Sequence, residues 1–143
     1  TFEIMKLYGN KCSEEYSNLK PIHGTDQFLD SIKQKYKSIK IFILSGGEKD
    51  EILEFIKQNK INTFFEDVLA SNKLKSEHLI DLKASKNDFF IGDSQKDFEM
   101  ALKHPIKFIL INGNKSILST PSINDLKKID LISYDLLSLA NFI

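Results

Sequence analysis

Apolar and polar positions along this chain follow two rhythms, and the switches between them outline a fold. Phe28, Leu29, Ile32 and Tyr36 recur at three- and four-residue intervals, the spacing of one helical face. The turn residues 21–24 (PIHG) precede them, and Thr25 is the expected N-cap. Residues 39–47 (IKIFILSGG) are a continuous apolar, β-branched run stopped by Ser-Gly-Gly, which predicts a buried strand. Helical spacing returns over 48–59 through Ile52, Leu53, Phe55 and Ile56. The exchange then repeats. A strand is expected over 65–71 (FEDVLAS), a helix capped by Ser76 with Leu79, Ile80 and Leu82, and a strand over 88–93 (DFFIGD). A helix with Phe98, Ala101 and Leu102 inward follows, then a strand over 107–112 (KFILIN) closed by the turn Asn112-Gly113-Asn114. A further strand over 131–134 (LISY) precedes an apolar tail. The first twenty residues are polar, rich in Tyr and Lys, and weakly periodic.

Strands that alternate with helices, each strand a continuous apolar run, predict an α/β fold with a parallel sheet covered on both faces. Right-handed crossovers make it a Rossmann-like, doubly wound sheet. In such sheets the polar residues at the C-terminal ends of the strands collect in one crevice, the usual ligand site. Ser45 and Asp93 stand at two such ends.

Composition narrows the function. The 143 residues suit one domain, and an apolar fraction of 41% with 11 Phe is enough for a real core. Charge is balanced, 20 Lys+Arg against 20 Asp+Glu, which gives no reason to expect nucleic acid or an anionic membrane as partner. No apolar run reaches the roughly 18–20 residues needed to span a bilayer, and TFEIMKLYGNK does not read as a signal peptide. The lone Cys12 excludes an internal disulfide and a cysteine-based zinc site, so a cytoplasmic location is the expectation. Every basic residue is a lysine. A phosphate or carboxylate site here must therefore use Lys, backbone N–H groups or a metal.

Three segments carry candidate chemistry. In GDSQKDFEMA (92–101), Gly92 allows a tight strand exit, Asp93 stands at the sheet edge, and Asp97 falls in the first turn of the next helix. Both carboxylates can face one cation, and magnesium prefers one or two carboxylates plus waters and phosphate oxygens. The plainer alternative is that Asp93 caps the helix and Asp97 complements its dipole. In ILSGG (43–47), Ser45 and the following Gly-Gly present a hydroxyl and N–H groups to an anion, or simply turn the chain with Ser as cap. In NKLKSEHL (72–79), Lys75 before a helix can deliver positive charge to the same crevice, with Lys73 as its competitor. NGNKS (112–116) lacks the glycine pattern of a phosphate loop and reads as a turn. His23, His78 and His104 share no ligand spacing and are expected at the surface or as caps.

Taken in this order, the three segments resemble the haloacid dehalogenase-like (HAD) hydrolase superfamily. ILSGG is similar to its second motif, Lys75 with SEHL to its third, and FFIGDSQKDFEMA to its fourth, the most distinctive of the set. LKPIHGTDQFLDSIKQKY resembles the return from cap to core in the phosphoglycolate-phosphatase-like branch. The resemblance covers about residues 19–143 and divides the chain into 1–20, a helical cap remnant or substitute segment, and 21–143, the HAD-like core. It implies a Mg²⁺-dependent phosphatase acting on a small phosphomonoester through an aspartyl-phosphate. By position, Ser45 and the Gly46 N–H would hold the phosphoryl group and Lys75 would neutralise charge. Asp93 and Asp97 would serve the metal.

One departure cuts across this. The family's first motif, Asp-x-Asp, supplies nucleophile and acid/base, and this sequence contains no Asp-x-Asp. The sequence alone therefore predicts an inactive chain. Two readings are open: a nucleophile strand and the rest of the cap lie upstream, as a truncated enzyme would have it, or residues 1–8 form a substitute strand. The first is the expectation, because losing a central strand would strand buried backbone groups on both neighbours. The rival function is a catalytically inactive HAD-like module that binds a partner or phosphorylated ligand.

Overall fold

The computed structural model describes residues 2–5, 24–111, 131–133 and 136–139. Six parallel strands form one sheet: β1 (Phe2–Met5), β2 (Lys40–Leu44), β3 (Asp67–Leu69), β4 (Phe89–Gly92), β5 (Lys107–Ile111) and β6 (Leu131–Ser133). Their order is β3-β2-β1-β4-β5-β6, so the chain winds outward in one direction from β1 to β3 and in the other from β4 to β6. The direction reverses between β1 and β4, the switch point where doubly wound sheets bind ligands. Between the strands lie α1 (Thr25–Lys35), α2 (Lys49–Gln58), α3 (Lys75–Asp81) and α4 (Gln95–Leu102), with a single turn, α5 (Leu136–Leu139), after β6. A 3₁₀ turn at Asn62–Phe64 leads into β3, which is shorter than the run 65–71 had suggested.

The alternation hidden inside the apolar runs sorts the two faces by residue type. Ile41, Ile43, Ile91, Ile109 and Ile111 point to one side, where Phe28, Leu29 and Ile32 of α1 and Ile52, Phe55 and Ile56 of α2 cover them with Leu136 and Leu139. Phe42, Leu44, Phe90, Phe108 and Leu110 point to the other, under Leu79 of α3 and Phe98 and Ala101 of α4. The Phe90 and Phe108 rings meet edge to face at 5.8 Å, a geometry their quadrupoles favour. Both faces being covered is why the strands read as unbroken hydrophobic runs.

Phe2–Met5 occupies the central slot. Its register places Met5 opposite Ile43 on one side and Ile91 on the other. The remainder of the 1–20 segment, including any helical cap, lies outside the described residues, as do the Asn112-Gly113-Asn114 turn, Cys12 and His23.

Several local expectations need correction. Thr25 is the first helical residue, buried, and Gly24 is the N-cap, with φ of 86° in the left-handed region glycine enters without penalty. Ser76 does not cap α3, because that helix starts one residue earlier, with Leu74 at the cap position. The helix after Ser45 opens at Lys49 and not at Gly-Gly. Leu53, Ile80 and Leu102, expected inward, are exposed.

Candidate functional site

The register fixes where the candidate residues meet. β1 ends at Met5, level with Ile43 and Ile91, while β2 runs on to Leu44 and β4 to Gly92. Ser45 and Asp93 therefore rise on either side of the end of β1, two strand spacings or roughly 10 Å apart. In the sequence, Met5 is followed by Lys6, and no acidic residue occurs again until Glu14.

Ser45 is 5% exposed and fixed from both sides. Its N–H donates to the Leu69 carbonyl at 2.9 Å, extending the β2–β3 pairing by one residue. Its Oγ accepts from the Gly47 N–H at 3.1 Å, and the Gly47 carbonyl accepts from Ser71. Accepting one hydrogen bond leaves a serine hydroxyl its own proton to donate, so the arrangement suits an anion. Gly46, between them, is exposed.

Across β1, the chain leaves β4 through Gly92 into Asp93 and the first turn of α4. The carboxylate of Asp97 folds back over Gly92. A Cβ on Gly92 would stand 2.8 Å from Asp97 Cβ and 3.0 Å from its Oδ2, so the glycine is required by close approach and not only by a tight exit. The cap of α4 is Ser94, whose Oγ accepts the Asp97 N–H at 3.1 Å, and Asp93 is thereby released from capping. Sequence reasoning passed over Ser94, although Ser94-Gln-Lys-Asp97 has the S-x-x-D spacing that marks a helix start.

Asp97 is 1% exposed, and Lys75, the first residue of α3, reaches it: Nζ donates to Oδ1 at 3.1 Å. Lys73 is engaged elsewhere. It is exposed and pairs with Asp81, whose hydrogen bond and charge together hold its ammonium above the usual lysine range. Of the two lysines, Lys75 is the one that meets a carboxylate of the fourth segment, that of Asp97.

His78 and His104, expected at the surface or as caps, are buried and half-buried. His78 is buried, and its Nε2 lies 2.8 Å from the Ala70 carbonyl. A carbonyl can only accept, so this nitrogen carries the proton and ties α3 to the end of β3. His104 is half-buried, with Nε2 2.6 Å from Ser76 Oγ, which joins α3 to the segment after α4.

Asp93 and Asp97 are the carboxylates available to a cation. No group of three or more His, Cys, Asp or Glu suited to a metal occurs among the described residues. Zinc or calcium cages need more donors than that. Magnesium does not, since it commonly takes one or two carboxylates and completes its shell with waters and phosphate oxygens. The donor set fits Mg²⁺, with Asp97 pressed against the end of β4 where the missing Cβ leaves room.

No helix among the described residues is long and apolar enough to cross a membrane. The sequence matches the haloacid dehalogenase-like hydrolases over residues 2–111. No curated protein matches it at a significant level. Solved structures do. A predicted phosphoglycolate phosphatase from Haemophilus somnus superposes with a TM-score of 0.71 at 16% identity, over 90% of this chain and 60% of that one. A HAD phosphatase from Thermococcus onnurineus gives 0.70 at 20% identity, over 90% and 60%. YfnB from Bacillus subtilis, described as a HAD hydrolase bound to magnesium, gives 0.68 at 13% identity, over 86% and 56%. At these identities the likeness establishes the fold, and this chain spans about 60% of the length of such proteins. With most of the chain matched by the family's sequence pattern and a parallel sheet in the family's architecture, the chain belongs to the haloacid dehalogenase-like hydrolases.

Proposed function

We propose that this chain is the core of a Mg²⁺-dependent phosphatase acting on a small phosphorylated substrate. The observation that carries the reading is the 3.1 Å contact between Lys75 and Asp97, which joins two of the sequence segments at the edge where Ser45 and Asp93 also stand. Ser45 Oγ and the Gly46 N–H would donate to the phosphoryl oxygens. Lys75 would neutralise the charge that builds there, and Asp97 would hold its ammonium in place. Asp93 would hold Mg²⁺ with Asp97 binding it or orienting its waters, and the ion would polarise the phosphoryl group. Preorganised charge of this kind supplies much of the barrier reduction in phosphoryl transfer. The nucleophilic aspartate that forms the aspartyl-phosphate in the family is not contributed by an Asp-x-Asp in this sequence. This chain by itself is therefore expected to bind and not to turn over.

A second reading draws on the same point. β1 is followed in the sequence by Lys6 and by no acidic residue before Glu14. A HAD-like module without a carboxylate there would hold a phosphorylated ligand without cleaving it. Hydrolysis of p-nitrophenyl phosphate separates the readings, with the protein from its natural source assayed beside this chain and each given Mg²⁺ or EDTA. Turnover by the natural protein that EDTA abolishes, with this chain inert, supports the phosphatase. No turnover by either overturns it in favour of the binding module.

A further inference from the structure

Whole-chain neutrality conceals a strong segregation of charge. Each helix runs antiparallel to the strands, so helix C-termini and strand N-termini share the end of the sheet opposite Ser45 and Asp93. Ten of the fourteen lysines among the described residues lie at that basal end. Lys33, Lys35 and Lys57 sit in the last turns of α1 and α2, where cations complement the helix dipole. Lys103 is the C-cap of α4, and Lys37, Lys60 and Lys83 directly follow the C-caps of α1, α2 and α3, so the dipole favours these too, whereas Lys40, Lys86 and Lys107 lie beyond its reach. Lys37 and Lys40 lie between α1 and the body of β2, and Lys60 after α2. Lys83 and Lys86 precede β4, Lys103 precedes β5, and Lys107 begins it. Some acidic groups share this end: Asp67 pairs with Lys49, Asp81 with Lys73, and buried Asp88 accepts from Ser85, while Glu66 precedes β3 and Glu3 lies on β1, and the lysines outnumber them.

Two of these lysines hold conformations that favour another residue. Lys60 and Lys83 have φ of 59° and 56°, just past the ends of α2 and α3. At each, the next N–H reaches back to a carbonyl in the last turn, Ile61 to Ile56 and Ala84 to Leu79. That is a helix terminator whose left-handed position is usually glycine. A lysine there accepts backbone strain to carry a charge.

One exposed aromatic ring lies in the same surface, Tyr36, with Lys35 Nζ 5.4 Å from its centre; Phe89, with Lys107 Nζ at 5.1 Å, is half-buried against the core. The register places Lys40, on β2, and Lys107, on β5, three strand spacings apart, roughly 14 Å. The acid-rich end is a five-residue strand away, roughly 16 Å, or about two Debye lengths at physiological salt. A polyanion at the base therefore meets the local charge and not the net charge.

We propose that the basal end of the sheet is a docking surface for the phosphate backbone of a single-stranded nucleic acid. Lysines act as point charges on phosphates, and the exposed Tyr36 ring gives a base a surface to stack on. The test is fluorescence anisotropy of a labelled twelve-nucleotide oligouridylate with this chain at 50 and 200 mM salt. If about four phosphates are engaged, affinity falls about 50-fold over that range. Lys37→Glu/Lys40→Glu/Lys107→Glu should abolish binding, while Lys96→Glu at the opposite end leaves it within twofold. Lys60→Gly/Lys83→Gly should weaken binding while keeping or raising the thermal midpoint, a combination that misfolding cannot produce. Absence of salt-dependent binding, equal loss in Lys96→Glu, or unchanged affinity in Lys60→Gly/Lys83→Gly overturns the proposal. So does binding to phosphatidylserine vesicles without binding to the oligonucleotide, which assigns the surface to a membrane.

Discussion

Lys75 Nζ meets Asp97 Oδ1 at 3.1 Å, bringing the first residue of α3 against the first turn of α4. The two partners are unequally wet. The carboxylate is 1% exposed and the lysine side chain 23%. Asp97 has given up nearly all its water, and the ammonium offers its Oδ1 a hydrogen bond in exchange, whereas Lys75 retains a route to solvent. An ion pair so placed is a commitment of the fold, unlike an exposed pair such as Lys73–Asp81.

Removing Lys75 should therefore do structural damage before any chemistry is considered. Lys75→Ala leaves a buried carboxylate uncompensated and is expected to cost about 3 kcal/mol in urea unfolding. Asp97→Asn strands only a partly wet lysine and should cost less. The double variant should resemble Asp97→Asn, because the penalty lies in the abandoned charge. Lys73→Ala should unfold at the wild-type midpoint. A Lys73→Ala loss as large as that of Lys75→Ala would reverse the assignment of the two lysines.

The packing of Asp97 against the strand end gives a second expectation. Gly92→Ala places a methyl 2.8 Å from Asp97 Cβ, closer than side chains pack, and the neighbour is a rigid short side chain on a helix. Overpacking of this kind costs about 1–3 kcal/mol. Ser94→Ala removes the Oγ that accepts the Asp97 N–H and should cost about 1 kcal/mol. Both act on Asp97, one on its side chain and the other on its backbone N–H, so the double variant should fall short of the sum of the single losses. Full additivity in urea unfolding would mean that Gly92 and Ser94 serve separate ends.

How much of this was legible beforehand depended on whether a feature is local. The strands at 40–44, 89–92 and 107–111 and the helices through Phe28 and Phe55 follow from periodicity, because burial on both faces dictates it residue by residue. The positions of Ser45, Asp93 and Lys75 at strand and helix ends were also legible, since a parallel sheet places such ends together. Helix starts were not. Gly24, Leu74 and Ser94 stand where Thr25, Ser76 and Asp93 were expected, because the cap is set by where the strand releases the chain and several polar neighbours could serve. His78 looked isolated in the sequence, and only the proximity of α3 to Ala70 explains its burial. The central strand was the least legible. Residues 1–8 entered only as the alternative to a strand lying upstream; Phe2–Met5 pairs with β2 and β4, and four residues carry too short a pattern to choose between the two readings.

Asp93 tests the metal side of the crevice. It is half-buried, and Ser94 rather than Asp93 caps α4; Asp93→Asn keeps the side chain's size and removes its charge, so its thermal midpoint is read beside its Mg²⁺ affinity. With one of two candidate carboxylates neutralised, Mg²⁺ affinity by titration calorimetry should drop at least about tenfold. EDTA should reverse the binding heat of the wild-type chain. An Asp93→Asn chain that binds Mg²⁺ as the wild type does would remove this residue from the metal site.

Ser45 tests the anion side of the same crevice. Its Oγ accepts the Gly47 N–H at 3.1 Å, so Ser45→Ala loses a hydrogen bond that shapes the loop, at about 1 kcal/mol in urea unfolding. It also loses the hydroxyl proton proposed to reach a phosphoryl oxygen. Inorganic phosphate, titrated in the presence of Mg²⁺, should bind Ser45→Ala several-fold more weakly than the wild type. Ser45→Thr keeps the hydroxyl and can keep the Gly47 contact, and it should restore phosphate affinity even if its added methyl lowers stability at a site only 5% exposed. Stability and affinity then separate. If phosphate affinity instead tracks the unfolding midpoint across both variants, Ser45 shapes the loop and does not touch the anion, and the donors must be the backbone N–H groups of Gly46 and its neighbours.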